Sequence, residues 1–223
     1  MAGVNEPVRL LLVDDDPLVL AGLSSMLSGT PELHLVGAAG DGQQAVDAVR
    51  ELRPDVVLMD IGMPVLDGVA ATAEIRCGEA APEVVILTTF GSDEDLLRAL
   101  RAGASGYLLK DAAPAEIVAA VVKVAAGESV LSPQSTRQLM DHVGAVDHDV
   151  RRTSARQALS QLTERERDVV LAVARGSSNA EAAATLEVGI ATVKTHLTNA
   201  LAKLQLTNRV QLALLAHDAG LVE

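Results

Sequence analysis

Aromatic residues and cysteine are almost absent from this chain of 223 residues. It has no tryptophan, one tyrosine (Tyr107) and one phenylalanine (Phe90), so its core must be built from Leu, Val, Ile and Ala. The single cysteine, Cys77, excludes an internal disulfide and suits a reducing compartment. The chain also lacks a charged-then-apolar leader and any apolar run near the roughly 18 residues of a membrane span. These absences predict a cytoplasmic protein of one or two domains.

Acidic residues are concentrated in the first two thirds of the chain. Residues 1–150 carry nine Lys and Arg against 23 Asp and Glu, whereas residues 151–223 carry nine against seven. A strongly acidic part followed by a slightly basic part predicts two modules with different partners.

Short β-branched runs alternate with amphipathic stretches over the first 127 residues. Capping residues precede several helical stretches, as in Asp16-Pro17 and in Ser92 with Asp95. Five such β-α units with apolar strands predict an α/β domain, a doubly wound five-stranded parallel sheet with flavodoxin-like strand order. The predicted strands are Val8–Val13, His34–Ala38, Asp55–Met59, Val84–Thr88 and Ser105–Leu109.

The last part of the chain is predicted to be all helical. Residues 128–158 lack the β-α alternation and are interpreted as a linker, with at most one short helix over Leu139–Val143. From Leu162 onward apolar residues recur at helical spacing, after a capping box formed by Thr163 and Glu166. The predicted domains are therefore residues 1–127 and residues 159–223, the second with four helices.

Five polar side chains are predicted to meet at the carboxyl ends of the strands, where α/β sheets carry their chemistry. Asp14 and Asp15 follow the first strand, Asp60 follows the third, Thr88 ends the fourth and Lys110 follows the fifth. Three carboxylates repel one another and raise at least one pKa unless a cation lies between them. An all-oxygen ligand set favours Mg²⁺.

This combination is typical of a site for a phosphoryl group. The metal and Lys110 would neutralise the phosphoryl oxygens while Asp60 attacks phosphorus. The residues alone also allow a simpler alternative, in which these side chains only cap strand ends and pair on a solvated rim.

One predicted helix, over residues 190–204, has two distinct faces. Its inward stripe is Val193, Leu197, Ala200, Leu201 and Leu204. The opposite face carries a central strip of Lys194, Thr195 and Thr198, with a flank of Thr192, His196, Asn199 and Lys203. Such a face is typical of a recognition helix in a DNA major groove, and equally of a solvated helix. The lone cysteine and scattered histidines offer no metal-ligand set.

The first module resembles the receiver domain of bacterial two-component response regulators over about residues 7–127. The resemblance is carried by "LLLVDDDPLVLAGL", "VVLMDIGMPVLDG", "VVILTTF" and "GASGYLLKDA". It implies that Asp60 accepts a phosphoryl group from a histidine kinase. It also implies that Mg²⁺ is bound by the Asp15 and Asp60 side chains, by the Gly62 backbone carbonyl and, through water, by Asp14. Thr88 and Tyr107 are the implied switch pair, and Lys110 is the implied phosphate-binding lysine.

One position departs from that family. Asp16 stands where receivers joined to this kind of second module often have histidine. Asp16 either caps the first helix or adds repulsion that alters metal affinity.

The second module resembles the LuxR-type helix-turn-helix domain over about residues 159–222, on "LTERERDVVLAVARGSSNAEAAATLEV" and "ATVKTHLTNALAKLQLTNR". By position, the resemblance implies that Lys194, Thr195 and Thr198 face bases. The residues implied to lie near the DNA backbone are Thr192, His196, Asn199, Lys203 and Arg209. Leu212 and Leu215 are implied to pair two modules on a two-fold DNA site.

Three residues of this second module depart from the family. Ala182 and Ala200 stand where the family has larger aliphatic side chains, and Gly189 replaces a serine helix cap. These departures predict a thin core, and the small net charge predicts modest nonspecific DNA affinity.

Together the two resemblances predict a response regulator of the NarL/FixJ type with no enzymatic activity of its own. Phosphorylation is expected to promote homodimers on an inverted-repeat DNA operator. A Mg²⁺-dependent phosphatase is disfavoured, because Gly62 occupies the position where such enzymes have a general acid. The remaining alternative is a receiver that controls a protein-binding or decoy module.

Overall fold

The structure is a computed structural model that describes residues 6–78, 80–89, 92–132, 135–136 and 148–222. The chain divides into two compact units, Met1–Ala126 with Val130–Gln138 and Gly127–Ser129 with Leu139–Glu223. No helix among the described residues combines the length and the apolar character needed to cross a membrane.

Within the described residues the first unit is a six-stranded parallel sheet with five helices. The strands are β1 (Val8–Val13), β2 (Leu33–Ala39), β3 (Val56–Met59), β4 (Glu83–Thr88), β5 (Gly106–Leu109) and β6 (Val130–Leu131). The helices are α1 (Pro17–Leu27), α2 (Gly42–Leu52), α3 (Gly68–Arg76), α4 (Asp93–Ala102) and α5 (Pro114–Ala125).

The strand order is β2-β1-β3-β4-β5-β6, so the direction of winding reverses beside β1. This reversal makes β1 and β3 neighbours, and their carboxyl ends meet at the crevice where such sheets bind ligands. The core beneath it is aliphatic, as the scarcity of aromatics requires: β1 and β3 side chains such as Leu12 and Leu58 pack with Ile117 and Val121 of α5.

The predicted α/β class is confirmed, but the sheet has six strands rather than five. The predicted ends of the first five strands differ from the observed ends by at most one residue. β6 lies in the segment interpreted as a linker and pairs with β5, Val130 beside Gly106 and Leu131 beside Tyr107. A strand of two residues is too short to leave a period-two pattern in the sequence.

In the part of the chain that the structure describes, the second unit has five helices. They are α6 (His148–Leu159), α7 (Glu164–Ala174), α8 (Asn179–Thr185), α9 (Ile190–Leu204) and α10 (Arg209–Asp218). The last four match the predicted helices. α6 corrects the linker assignment, because residues 148–158 are helical, while the predicted helix over Leu139–Val143 lies outside the described residues.

Two buried side chains anchor α6 to the second unit. Ala155 and Leu159 belong to its hydrophobic core, and Arg156 Nε donates a hydrogen bond to the Ala219 carbonyl oxygen at the end of α10 (2.9 Å). Most other residues of α6 are polar, so the apolar stripe is too narrow to reveal the helix from sequence.

Val65, in the loop between β3 and α3, has an unfavourable backbone conformation. Its φ is +66°, and the Leu66 N–H donates to the Pro64 carbonyl oxygen (2.8 Å), which closes a three-residue turn around it. The side chain is 84% exposed and so contributes little packing. A left-handed conformation costs an ordinary residue about 1–2 kcal/mol.

We therefore expect Val65→Gly to raise the free energy of unfolding by about 1 kcal/mol, even after the greater freedom of glycine in the unfolded chain is counted. Urea unfolding of the full chain measures this change. The control is Ala119→Gly, at an exposed position of α5, which is expected to lower stability by about 1 kcal/mol. A lower unfolding midpoint for Val65→Gly would contradict the strain.

Candidate functional site

Three carboxylates converge where β1 and β3 end side by side. Val13 and Met59 are partners in the β1–β3 ladder, and the Asp60 N–H donates to the Val13 carbonyl oxygen (2.9 Å). As a result, one carboxylate oxygen from each of Asp14, Asp15 and Asp60 lies within 4.8 Å of the others. The Asp14 and Asp60 side chains are buried, whereas Asp15 is exposed.

Lys110 reaches this cluster from the end of β5. Its Nζ lies 2.5 Å from Asp14 Oδ2 and 3.2 Å from Asp60 Oδ1. Burial by itself would lower the pKa of Lys110, but the hydrogen bond to Asp14 and the charge of Asp60 outweigh burial and raise that pKa. Lys110 is therefore a cation that links the two buried carboxylates.

Asp60 is destabilised in its charged form. Burial raises the pKa of the Asp60 carboxyl; Lys110 opposes this effect, and the charge of Asp14 adds to it. A cation beside Asp60 would relieve the cost of its charge.

The donor set fits Mg²⁺, which prefers oxygen ligands and retains several waters. Asp14 is already engaged, since its Oδ2 contacts Lys110 and its Oδ1 accepts the Asp16 N–H (3.1 Å). Asp15 and the backbone of Gly62 are exposed. Apart from the two residues adjacent in the chain, no atom of the described residues lies within 4 Å of the position that a Cβ on Gly62 would occupy.

Thr88 and Tyr107 lie on the neighbouring strands β4 and β5. Thr88 is buried at the end of β4, and its carbonyl oxygen accepts the Lys110 N–H (2.8 Å). Tyr107 is fully buried, and its hydroxyl has no hydrogen-bond partner among the described residues. Burial, with the charges of Asp95 and Asp60, raises the pKa of Tyr107 to about 12.

In the second unit, α9 has the two predicted faces. Val193, Leu197 and Ala200 are buried in the core, with Leu201 and Leu204 packed against it. The remaining predicted positions face outward. Those exposed to solvent are Thr192, Lys194, Thr195, Thr198, Asn199 and Lys203, and His196 is half-buried.

Both units match known families. Residues 10–122 match the response regulator receiver domain, and residues 160–216 match the bacterial regulatory proteins of the luxR family. Over 214 residues the chain is 34% identical to the nitrate/nitrite response regulator protein NarL of Escherichia coli (strain K12), covering 96% of this chain and 97% of NarL. This chain is a DNA-binding two-component response regulator of the NarL type.

Other regulators are similar over their full length. The response regulator protein VraR of Staphylococcus aureus (strain NCTC 8325 / PS 47) is 36% identical, covering 97% of this chain and 99% of VraR. The crystal structure of the response regulator ChrA, from a heme-sensing two-component system, is 34% identical. It covers 98% of this chain and 100% of ChrA with a TM-score of 0.53. These similarities extend across both modules of the regulator.

Asp16 acts as a helix cap in this regulator. Its Oδ1 accepts the Leu18 N–H (2.8 Å) at the start of α1, and its side chain is exposed. Of the two roles that the sequence left open, the structure supports the cap.

The loop after Asp60 is held by backbone packing that the sequence analysis missed. The Gly68 N–H donates to the Ile61 carbonyl oxygen (3.0 Å), and a Cβ on Gly68 would lie 1.8 Å from the Asp60 carbonyl oxygen. The Gly68 carbonyl in turn accepts a hydrogen bond from the buried Thr72 hydroxyl (2.6 Å). The adjacent pair Asp67-Gly68, a helix cap followed by glycine, was the available signal.

Two predicted DNA-backbone contacts are engaged within the second unit. Lys203 Nζ lies 2.7 Å from Glu166 Oε2, and the Glu166 side chain is 5% exposed. The Arg209 guanidinium donates to the Ser177 carbonyl oxygen (2.7 Å), and burial lowers the pKa of Arg209. Lys203 and Arg209 are therefore both engaged with groups of their own unit.

Glu166 joins the start of α7 to α9. Its side chain accepts both the Lys203 ammonium and the Thr163 N–H (2.9 Å). The hydrogen bond from Lys203, followed by that from Thr163, lowers the pKa of Glu166 from 4.5 to about 2.

We expect Glu166→Gln to lower the urea midpoint of the second unit at pH 7. A lowered pKa adds stability above the ordinary value of 4.5, and this stability is lost as the pH falls toward 2. Unfolding at pH 7 and pH 3 measures the effect, and the difference between the two proteins should be smaller at pH 3 than at pH 7. The matched control is Glu164→Gln, at an exposed position in the same helical turn. An unchanged midpoint at pH 7 would contradict a stabilising ion pair.

The implied pairing role of Leu212 is wrong. Leu212 is fully buried in the core of its own unit, and Leu215 is partly buried against the same core. Leu212 cannot contact a second copy unless the unit unfolds.

The departures from the family are also visible: Ala182 and Ala200 are fully buried, and Gly189 makes no side-chain cap on α9.

Proposed function

We propose that Asp60 accepts a phosphoryl group from the phosphohistidine of a kinase, and that this promotes dimerisation and DNA binding. The observation that carries the proposal is the position of the buried Asp60 carboxylate, 3.2 Å from Lys110 and beside two further carboxylates. Mg²⁺ would be held by the Asp15 and Asp60 side chains and the Gly62 carbonyl, with Asp14 acting through water. When bound, the metal would neutralise charge on the phosphoryl oxygens.

In the transfer, an Asp60 carboxylate oxygen forms a bond to phosphorus while the bond from phosphorus to the imidazole nitrogen breaks. The imidazole is the leaving group, and the product is an acyl phosphate. Lys110 is placed to follow the phosphoryl group, because its ammonium already contacts Asp60. The Thr88 hydroxyl, at the end of β4, would donate to a second phosphoryl oxygen.

The phosphoryl group adds about two negative charges at Asp60. In this proposal Thr88 and Lys110 move toward it and Tyr107 repacks, which changes the surface around α4 and β5. Phosphorylation can shift the equilibrium between the inactive and active conformations only as far as it stabilises one of them more than the other. This coupling free energy is typically ~1–3 kcal/mol.

The DNA interface is proposed to be the exposed face of α9. Lys194, Thr195 and Thr198 would meet base edges in the major groove, and Thr192, His196 and Asn199 would lie near phosphates. Lys203 and Arg209 would contact phosphates only if their side chains bound a phosphate while they kept their contacts with Glu166 and the Ser177 carbonyl. A dimer would bind an inverted repeat, and a transcription factor of this kind would act in the bacterial cytoplasm.

A random-sequence DNA selection on the full chain with Mg²⁺, with and without beryllofluoride, tests this function. Beryllofluoride with a carboxylate stands in for the acyl phosphate. We expect an inverted repeat to be enriched when beryllofluoride is present and not when it is left out. Equal enrichment without it would remove phosphorylation as the switch, and no enrichment would overturn the proposed function.

A further inference from the structure

The first turn of α9 exposes apolar side chains. Ile190 is the first residue of the helix and is 48% exposed, and Ala191 beside it is exposed as well. Exposing a large aliphatic side chain has a cost that burial against a partner would recover. The first residues of a recognition helix are those that contact base edges.

Thr195 adds another apolar group to this surface. Its hydroxyl donates a hydrogen bond to the Ala191 carbonyl oxygen (2.9 Å), so its hydrogen is already used by the helix backbone. The γ-methyl of Thr195 is then available for apolar contact, and the hydroxyl oxygen can act only as an acceptor. Thr195 is exposed one helical turn beyond Ala191, just as Lys194 is one turn beyond Ile190.

Positive charge is scarce on the same surface. Lys194 is exposed between these apolar groups, whereas the ammonium of Lys203 is held by Glu166 at 2.7 Å. Around Ile190 and Ala191 the surface therefore combines one ammonium with aliphatic groups, beside the exposed hydroxyls of Thr192 and Thr198. In the major groove an ammonium suits the guanine O6 and N7 acceptors, and aliphatic groups suit the methyl group of thymine. Aliphatic groups packed against the other base edges would desolvate polar base atoms without offering them a hydrogen bond.

We propose that Ile190 and the γ-methyl of Thr195 read the methyl groups of thymines that flank a guanine bound by Lys194. The proposal rests on the proposed function, since it specifies the DNA half-site that α9 recognises. It assigns Ile190, which the sequence analysis did not single out, as a specificity-determining residue.

The test uses the enriched operator and the full-length protein with Mg²⁺ and beryllofluoride. Each thymine of a half-site is replaced in turn by deoxyuridine, which removes the methyl group and leaves the hydrogen-bonding edge intact. We expect affinity to fall about three- to fourfold at each thymine that is contacted, the value of one buried methyl group.

Two variants assign the contacts. Ile190→Ala and Thr195→Ser should each abolish the thymine preference at one position and retain it at the other. Serine keeps the hydroxyl that bonds Ala191 and loses only the methyl group. Thr185→Ser, at an exposed position of α8, is the matched control and should retain both preferences.

The outcomes separate this inference from the function on which it rests. Equal affinity for thymine and deoxyuridine throughout an enriched operator overturns the inference and leaves DNA binding intact. Thymine preferences that persist in both variants also overturn it. Failure to enrich any operator overturns the proposed function and the inference together.

Discussion

Asp60→Asn is expected to abolish phosphoryl incorporation and, in the absence of metal, to make the folded chain more stable. The amide cannot attack phosphorus as a carboxylate does. It also removes a buried charge, whose cost is seen in the raised pKa of Asp60. Lys110 retains its contact with Asp14 in this variant, so no cation is left without a partner.

The pH dependence of this gain follows from the direction of the shift. An acid with a raised pKa binds its proton more tightly in the folded state, so it costs stability as the pH rises above the ordinary value of 3.8. Asparagine removes this cost, so we expect the variant to have the higher urea midpoint at pH 7. The gain should vanish below about pH 3.8.

Intact-protein mass spectrometry after incubation with acetyl phosphate and Mg²⁺ measures the first effect, and urea unfolding in EDTA measures the second. Asp111→Asn, at the exposed residue next to Lys110, is the control that should change neither. A phosphorylated Asp60→Asn protein would show that another residue is the acceptor. A less stable variant would show that the Asp60 charge is favourable as it stands.

Gly68→Ala is expected to disrupt the site from outside it. A Cβ at this position would lie 1.8 Å from the Asp60 carbonyl oxygen and 2.9 Å from the Asp60 carbonyl carbon, so the backbone must move. Backbone shifts of this kind cost about 3 kcal/mol. Because the atoms displaced belong to Asp60 itself, affinity for beryllofluoride should fall as well.

Gly22→Ala in α1 is the matched control, because its added Cβ would have no atom of the described residues within 4 Å beyond the neighbouring backbone of its own helix. Alanine in an exposed helix is favoured over glycine, so this control should gain about 1 kcal/mol and keep normal beryllofluoride affinity. Isothermal titration calorimetry measures the beryllofluoride affinity, and urea unfolding measures the stability. If Gly68→Ala matched Gly22→Ala in stability and in beryllofluoride affinity, the proposed clash with Asp60 would be contradicted.

The sheet and the acidic cluster could be predicted because each leaves a local mark in the sequence. A strand buried on both faces is a continuous apolar run, such as Val56–Met59, and the polar residue that follows it must lie at the sheet edge. The parallel arrangement then brings Asp14, Asp60 and Lys110 together without further information. The capping box of Thr163 and Glu166 in the second unit was visible for the same local reason.

The features that were missed depend on contacts between distant residues. The Lys203–Glu166 ion pair joins residues 37 positions apart, and no periodicity reveals it. The buried face of α10 is hidden because apolar residues occur on several sides of that helix, which made Leu212 look available. The close approach of Gly68 to Asp60 exists only once the loop has folded.

The central claim is that phosphorylation of Asp60 controls DNA binding by the second unit. Its most direct test is the equilibrium affinity of the full chain for the enriched operator, with Mg²⁺, before and after beryllofluoride. We expect affinity to rise by roughly tenfold or more in the wild-type protein, within the usual range of coupling between sites. Asp60→Asn should show no change. Equal wild-type affinity in both conditions, with beryllofluoride bound, would contradict the claim.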